Sequence, residues 1–499
     1  MKLREIIGLL KVIDVTGNLE AEFSGIAYDS RKLKEGDCFF AMAGSRSSGT
    51  LYSQEAVRKG AAAIITEGEV PPLPIPVIRI ADIRGGMADV AHSYYGHPTL
   101  SMVCTGITGT NGKTTTSYLI DAIVKQRYQQ TAVVGTLGMA WKDSRHDFGL
   151  TTPESPTIAS ELAQLKAEGC LAVTMEVSSH GLVLSRVRGI EFDCAVFTNL
   201  SRDHLDFHGD MESYLEAKLS LFRVLGKGKK RGKGIVNLDD PRGRRFIDIC
   251  PVETVTYAIG SEKADVRAAD FRLHPWGSEV TVRSPLGETH LRLQLPGKFN
   301  VSNALAAFAA GIGLNLSEAE IVRGLESIER VRGRMEIVEA GGVRVVIDYA
   351  HSPDALENLL TTLEEIYAGR IITVVGCGGD RDREKRPVMG EVAARLSHLL
   401  VITSDNPRRE DPEAILDSLE GGVRRVRDDF TRITDREDAI RYAIGAAKAG
   451  DIVVIAGKGH EDYQIIGSQR YPFSDREVAC RILGCSESEE RGGFNSHGH

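Results

Sequence analysis

The run Gly106-Ile107-Thr108-Gly109-Thr110-Asn111-Gly112-Lys113-Thr114-Thr115-Thr116 has the composition of a loop built around phosphate. Glycines let the backbone turn tightly enough for several N–H groups to converge on one anion. A helix N-terminus adds its partial positive charge, and Lys113 can reach the outer phosphates. Thr114 offers a hydroxyl to the magnesium that accompanies a nucleotide. The strict pattern puts glycine at position 107, where this chain has Ile107, so the loop is a variant with Gly106 one residue early and Gly109 in its middle. Residues 100–106 read as a short buried strand and 118–124 as an amphipathic helix, the strand, loop and helix that binding of ATP or GTP requires.

Four further clusters carry chemistry. Gly376-Cys377-Gly378-Gly379-Asp380-Arg381 follows an apolar run but ends in Arg381 where a dinucleotide fingerprint needs glycine, so it reads either as an anion-binding loop or as a solvated turn. Asp203-His204-Leu205-Asp206-Phe207-His208 sets two histidines four apart on a possible helix, a pattern open to metal ligation or to a charged helix entry. Beside a phosphate loop magnesium suits the site better than zinc, and Glu176 at a strand end is the better hard oxygen ligand. Ser404-Asp405-Asn406-Pro407-Arg408-Arg409 and Gly457-Lys458-Gly459-His460-Glu461 both follow apolar strands. Together they offer arginine for a carboxylate and glutamate for an ammonium, as a pocket for a zwitterion requires.

These loops need α/β scaffolding, and the chain is long enough for it. Its 499 residues suffice for about three domains of ~150 residues each. With 42% hydrophobic and 26% charged residues it reads as an ordinary α/β protein. The net charge of −8 argues against a surface that coats nucleic acid. No apolar run approaches the ~20 residues of a membrane span, and the eight cysteines are scattered without zinc spacing, as in a reducing cytoplasmic compartment. Strand-like runs at 26–31, 37–42 and 61–65 place a first domain at 1–98. Strands at 172–177, 194–198 and 234–237, an antiparallel excursion at 279–295 and helices at 301–313 and 317–327 fill a second at 99–331. Strands at 343–348, 371–375, 399–403 and 452–456 build a third at 332–485, and the polar tail 486–499 reads as disordered.

Read in order, the motifs resemble the Mur ligase family over about residues 20–480. The matching runs include Asp29-Ser30-Arg31, Thr108-Gly109-Thr110-Asn111-Gly112-Lys113-Thr114-Thr115, Thr151-Thr152-Pro153, Met175-Glu176-Val177-Ser178-Ser179-His180 and Asn199-Leu200-Ser201-Arg202-Asp203-His204. Tyr214-Leu215-Glu216-Ala217-Lys218, Gly297-Lys298-Phe299-Asn300, Asp348-Tyr349-Ala350-His351 and Asp405-Asn406-Pro407-Arg408 complete the set. The resemblance implies an N-terminal α/β domain for a UDP-linked substrate, a central P-loop ATPase domain with a mostly parallel sheet, and a C-terminal Rossmann-like domain for an amino acid. The implied activity is ATP-dependent amide formation in peptidoglycan precursor synthesis, by a cytoplasmic monomer.

Roles follow by resemblance alone. Gly109, Thr110, Asn111, Gly112, Lys113, Thr114, Thr115, Asn300, Arg334 and His351 would hold ATP. Two magnesium ions would be held by Thr114, Glu176, His204 and Lys218, the last as a carbamate formed from CO2. Lys113, Glu176, His204 and Lys218 would thus serve catalysis. Ser30, Thr151, Thr152, Ser178 and Arg186 would bind UDP-N-acetylmuramoyl-L-alanyl-D-glutamate, and Arg381, Asp405, Asn406, Pro407, Arg408, Gly457 and Glu461 the incoming amino acid. Ser48 stands where many relatives carry Asp and Leu184 where some carry Gln. The implied chemistry joins two anions, a carboxylate and the γ-phosphate, so lysine and magnesium must neutralise charge before an acyl phosphate forms and an amine displaces phosphate from it. The amino acid expected is meso-diaminopimelate, because its distal carboxylate gives Arg408 a partner that lysine lacks. Use of lysine, or addition of D-alanyl-D-alanine, is the alternative.

Overall fold

The computed structural model describes residues 1–42 and 48–485, so the tail 486–499 lies outside the described residues. Three principal sheets succeed one another along the chain. The first contains β1 (Val12–Thr16), β2 (Gly25–Ala27), β3 (Asp37–Ala41), β4 (Ala63–Thr66) and β5 (Val77–Ile80) in the order β1-β5-β4-β3-β2. Only β1 runs antiparallel. Phe40, Ile65 and Ile78 pack from this sheet onto Met87 and Val90 of the helix Ile83–Tyr94. The strand expected at 26–31 ends at Ala27. Asp29 turns the chain by accepting from the backbone N–H and the guanidinium of Arg31, which breaks the ladder.

The second sheet has eleven strands. They are β6 (Val103–Thr108), β7 (Thr131–Gly135), β8 (Gly138–Trp141), β9 (Ser144–His146), β10 (Ala172–Glu176), β11 (Cys194–Phe197), β12 (Gly234–Asn237), β13 (Thr254–Ala258), β14 (Val266–His274), β15 (Gly277–Ser284) and β16 (Gly287–Leu293). β6 lies between β10 and β11, with parallel pairing on both sides. The loops leaving these three strands share one crevice, where open α/β sheets take ligands. The antiparallel excursion expected at 279–295 is the β14–β16 meander and starts earlier, at Val266.

The third sheet comprises β17 (Glu336–Ala340), β18 (Val343–Asp348), β19 (Ile371–Val375), β20 (Leu399–Ile402), β21 (Thr431–Arg432) and β22 (Ile452–Ala456), ordered β17-β18-β22-β19-β20-β21. All but β17 are parallel. β19 and β22 are buried along their whole length, which is why they read as unbroken apolar runs. A hairpin of β23 (Tyr463–Ile466) and β24 (Gln469–Pro472) follows. Among the described residues no helix is long and apolar enough to cross a membrane.

The helix Lys113–Tyr128, which carries the phosphate loop, packs against Lys298–Gly313 and Glu318–Glu326. A capping box between Ser317 and Glu320 starts the last of these. Its Gly324 lies so close to Ile123 that a Cβ would stand 2.4 Å from the Ile123 Cα. Backbone cannot yield as a side chain does, so Gly324→Ala is expected to destabilise the protein by roughly 1–3 kcal/mol. Equal urea midpoints for variant and wild type would contradict this packing.

Candidate active site

The phosphate loop joins β6 to the helix Lys113–Tyr128, and its glycines are set by neighbours. A Cβ on Gly109 would stand 1.8 Å from Thr198 Oγ1. Gly112, at φ +84°, would place one 2.4 Å from Asn303 Oδ1. Asn199 seats the loop: its carbonyl accepts from Thr110 N–H and its Oδ1 from Asn111 N–H, both at 2.9 Å. Lys113 Nζ curls back to donate to the Gly109 and Thr110 carbonyls at 2.9 Å, and it has no salt bridge among the described residues. Burial and the nearby Arg334 charge lower its pKa while Glu176 and Asp203 oppose the shift.

Above the loop opens a cavity of about 510 Å³. Of the residues expected at the site, Thr110, Asn111, Gly112, Lys113, Thr114, Thr115, Thr151, Glu176, Ser178, His204, Arg334 and His351 line it. Asn300 is buried behind the wall, donating to Pro296 O at 2.8 Å and accepting from Asn303 Nδ2 at 3.1 Å. Asn303, not Asn300, lines the cavity. Arg334 Nη2 donates to Thr114 Oγ1 at 2.9 Å while its guanidinium lies 4.6 Å over the Tyr349 ring. Glu176, at the end of β10, accepts from the Thr136 N–H and hydroxyl, both at 2.9 Å.

The third sheet closes one side of this cavity. Asp354, at the start of the helix Pro353–Ile366, accepts from Asn111 Nδ2 at 2.7 Å and from Ser201 Oγ at 3.0 Å. Asp203 is buried and gathers three cationic or protonatable groups: His204 Nε2 at 3.6 Å, His351 Nε2 at 3.7 Å and Lys385 Nζ at 3.8 Å. Burial alone would raise the Asp203 pKa, but the His351 hydrogen bond and the charges of His204 and Lys385 outweigh it and hold the carboxyl ionised well below its usual range. Sequence reasoning passed over Asp203 although it directly precedes His204. A carboxylate before a candidate ligand is the signal that could have found it.

His204 does not share a helix face with His208. It sits in the left-handed region at φ +55°, and the helix Leu205–His208 that follows is a single turn. His208 Nε2 instead meets Ser179 Oγ at 2.9 Å. Burial pushes the His204 pKa down to about 3. Lys218, on the helix Met211–Arg223, is fully buried, its ammonium 4.2 Å over the Tyr214 ring. It forms no salt bridge among the described residues. Burial and the Lys113 charge drive its pKa well down from the usual lysine value.

Thr152 Oγ1 lies 3.0 Å from Glu176 O and from Ser178 Oγ, and Ser178 caps the helix Ser179–Val183 by accepting from Gly181 N–H. Arg186 is held by Glu154 at 2.8 Å and donates to Thr152 O at 3.1 Å. Ser30 is apart from these in the first sheet's domain, its carbonyl accepting from Lys59 Nζ at 2.7 Å. Ser48 caps the short turn Gly49–Tyr52.

The remaining expected residues converge at the ends of β19, β20 and β22. Arg408, in the left-handed region at φ +54°, donates Nη1 to Gly379 O at 2.7 Å. Arg381 donates to Asp380 O at 3.0 Å. Neither guanidinium has a salt bridge among the described residues, and burial together with the Arg381 charge lowers the Arg408 pKa. Glu461 Oε2 accepts from Asn406 Nδ2 at 2.8 Å and from the buried Lys458 Nζ at 2.9 Å. Lys458, absent from the sequence-based set, therefore holds Glu461 by one oxygen. Gly457, at φ +115°, leaves room for Asp405, whose Oδ2 would stand 2.7 Å from a Cβ there. Pro407 connects Asn406 to Arg408 within the same loop.

Three family models match in chain order: Mur ligase family, catalytic domain, over residues 22–95; Mur ligase middle domain over 107–311; and Mur ligase, glutamate ligase domain, over 333–459. The UDP-N-acetylmuramoyl-L-alanyl-D-glutamate–2,6-diaminopimelate ligase of Geobacter sulfurreducens is 44% identical, over 98% of this chain and 100% of the relative. The protein of the same name from Syntrophomonas wolfei is 42% identical over 97% and 99%. A solved structure of a UDP-N-acetylmuramoyl-L-alanyl-D-glutamate–2,6-diaminopimelate ligase superposes with a TM-score of 0.69 at 32% identity, covering 97% of this chain and 99% of that one. Matches that run in the same order through all three sheets and the loops between them leave one assignment: this chain belongs to the Mur ligase family.

Proposed function

We propose that this protein joins meso-diaminopimelate to the D-glutamyl carboxylate of UDP-N-acetylmuramoyl-L-alanyl-D-glutamate, using ATP and an acyl-phosphate intermediate, in peptidoglycan precursor synthesis. The carrying observation is the pair Arg381 and Arg408, two guanidiniums without salt bridges among the described residues, beside a Glu461 whose Oε1 has no hydrogen bond among them. That arrangement suits the distal zwitterion of diaminopimelate: carboxylate to arginine, ammonium to glutamate. Residues 1–98 would hold the UDP portion, 99–331 ATP and 332–485 the amino acid.

The chemistry begins with charge. Lys113, now satisfied only by its own loop, would turn to the γ-phosphate, and Arg334 would exchange Thr114 Oγ1 for phosphate oxygen. Among the described residues no three His, Cys, Asp or Glu side chains are grouped to hold a metal, so a cation here would combine separate side chains with the phosphates themselves. Thr114, Glu176 and His204 line the cavity and fit that need, and a magnesium ion there would neutralise phosphate charge. A glutamyl carboxylate oxygen then bonds to the γ-phosphorus as its bond to ADP breaks. The amine of diaminopimelate attacks the acyl carbon, and phosphate leaves with the acyl oxygen. Ser178 and Thr152 lie beside Glu176 where they would position the dipeptide end, while Asp203 keeps His204 and His351 facing the cavity. Lys218, buried and with its pKa driven down, fits conversion to a carbamate by CO2, which would replace a cation with anionic oxygens.

Phosphate release from ATP in the presence of UDP-N-acetylmuramoyl-L-alanyl-D-glutamate is expected to require diaminopimelate and to be weak with lysine. Release indifferent to the amino acid would remove the ligase reading. Arg408→Ala should cut kcat/KM for diaminopimelate by about tenfold to a hundredfold and narrow its margin over lysine, because a desolvated carboxylate loses its partner. A variant that kept the wild-type margin would dismiss that role. Labelling with 13C bicarbonate should produce a carbamate carbon resonance in wild type that Lys218→Ala lacks; identical spectra would exclude the modification.

A further inference from the structure

We propose that Arg436 and Asp475 are positioning residues for the amino-acid pocket, an inference that rests on the ligase reading above. Arg436 opens the helix Arg436–Ala446 and Asp475 the helix Asp475–Leu483, and both side chains are completely buried. The carboxylate takes Arg436 Nε and Nη2, each at 2.8 Å. The rest of the guanidinium faces the strand ends: Nη1 donates to Ser404 O at 3.3 Å and Nη2 to Ala456 O at 3.0 Å.

Those two carbonyls are the last positions before the pocket loops. Ser404 precedes Asp405-Asn406-Pro407-Arg408, and Ala456 precedes Gly457 and the turn to Glu461. β20 and β22 are not neighbours, because β19 separates them, so no ladder sets their ends against each other; the loop after β20 meets the later hairpin only further on, where Arg408 N–H donates to Ile465 O at 3.0 Å and Gly467 N–H to Arg408 O at 2.6 Å. The planar guanidinium spans that gap beneath the pocket with a fixed angle between its donors. Contacts within the pocket, such as Asn406 to Glu461, lie where substrate would bind; the arginine acts from the side away from it.

The pair is an expensive way to fill a core. Replacing a buried ion pair with apolar residues is often neutral or stabilising, and a cation at a helix N-terminus opposes the helix dipole. The fork's grip on two strand ends is what an apolar pair could not supply. Its effect would be to fix the spacing between Arg408 and Glu461, and hence the fit to a zwitterion.

The test compares steady-state phosphate release by wild type, Arg436→Met/Asp475→Leu and Arg436→Lys, with thermal melts of each. Wild-type release that depends on diaminopimelate establishes the ligase reading separately; without it both that reading and this inference fall. The folded apolar pair should raise KM for diaminopimelate about tenfold or more and cut the preference over lysine to a similar degree, with KM for ATP within about twofold. Arg436→Lys, which keeps the charge but loses the fork, should show the same loss of selectivity, and it decides the matter if the double variant does not fold. A folded variant with wild-type KM and selectivity would overturn the proposal, as would equal losses toward all three substrates.

Discussion

A buried carboxylate facing three nitrogen-bearing side chains from two parts of the chain holds the site together. Asp203 follows β11 of the central sheet, yet His351 and Lys385 come from the third sheet's loops and helices. Burying that charge is affordable only with close cationic company, and the company arrives only when the third sheet is seated. Asp354 reinforces the junction from the opposite direction, reaching back to Asn111 in the phosphate loop and to Ser201. Nucleotide loop, histidines and third-sheet helices are thus one electrostatic unit rather than neighbours in contact.

Within that unit positive charge is deliberately left over. Among the described residues Lys113 Nζ has only the Gly109 and Thr110 carbonyls, and Arg381 and Arg408 likewise point at carbonyl oxygens. A carbonyl restrains a cation without neutralising it, so each remains ready for an anion of greater charge. Lys458 shows the contrast: it is spent on Glu461 and Asn406, and its function is to hold an acid in place.

Much of this was legible in the residues because local rules governed it. The strand, glycine-rich loop and helix around Lys113 carry their own periodicity, and buried parallel strands such as β19 and β22 announce themselves as apolar runs. Two short strands of the first sheet, the edge strand β1 and its neighbour β5, did not. β1 is mostly exposed and lacks alternation, and β5 follows directly on a proline-rich stretch that masks it. Ile26 through Tyr28 begins as a strand-forming run, but the side chain of Asp29 competes for the backbone and turns it. His204 does not sit on a helix face with His208 for a similar reason: its backbone is left-handed and its N–H donates to the Asp203 side chain at 2.9 Å, ahead of a single helical turn. Asn303, Asp203 and Lys458 have near partners in Asn300, His204 and Glu461, but what places them at the site comes from afar: Thr116 for Asn303, His351 and Lys385 for Asp203, and Asn406 for Lys458.

The shared wall of the cavity has a temporal meaning as well as a spatial one. An acyl phosphate is destroyed by water as readily as by an amine, so its survival depends on when solvent is kept out. With Asp354 and His351 supplied by the third sheet's side and Lys113 by the central one, the cavity has both of its walls only while the two are docked. The same docking brings up the loops at the ends of β20 and β22, proposed above to hold the amino acid. On that reading, shelter for the activated intermediate and delivery of the nucleophile that consumes it would be coupled, favouring amide formation over wasteful hydrolysis of ATP.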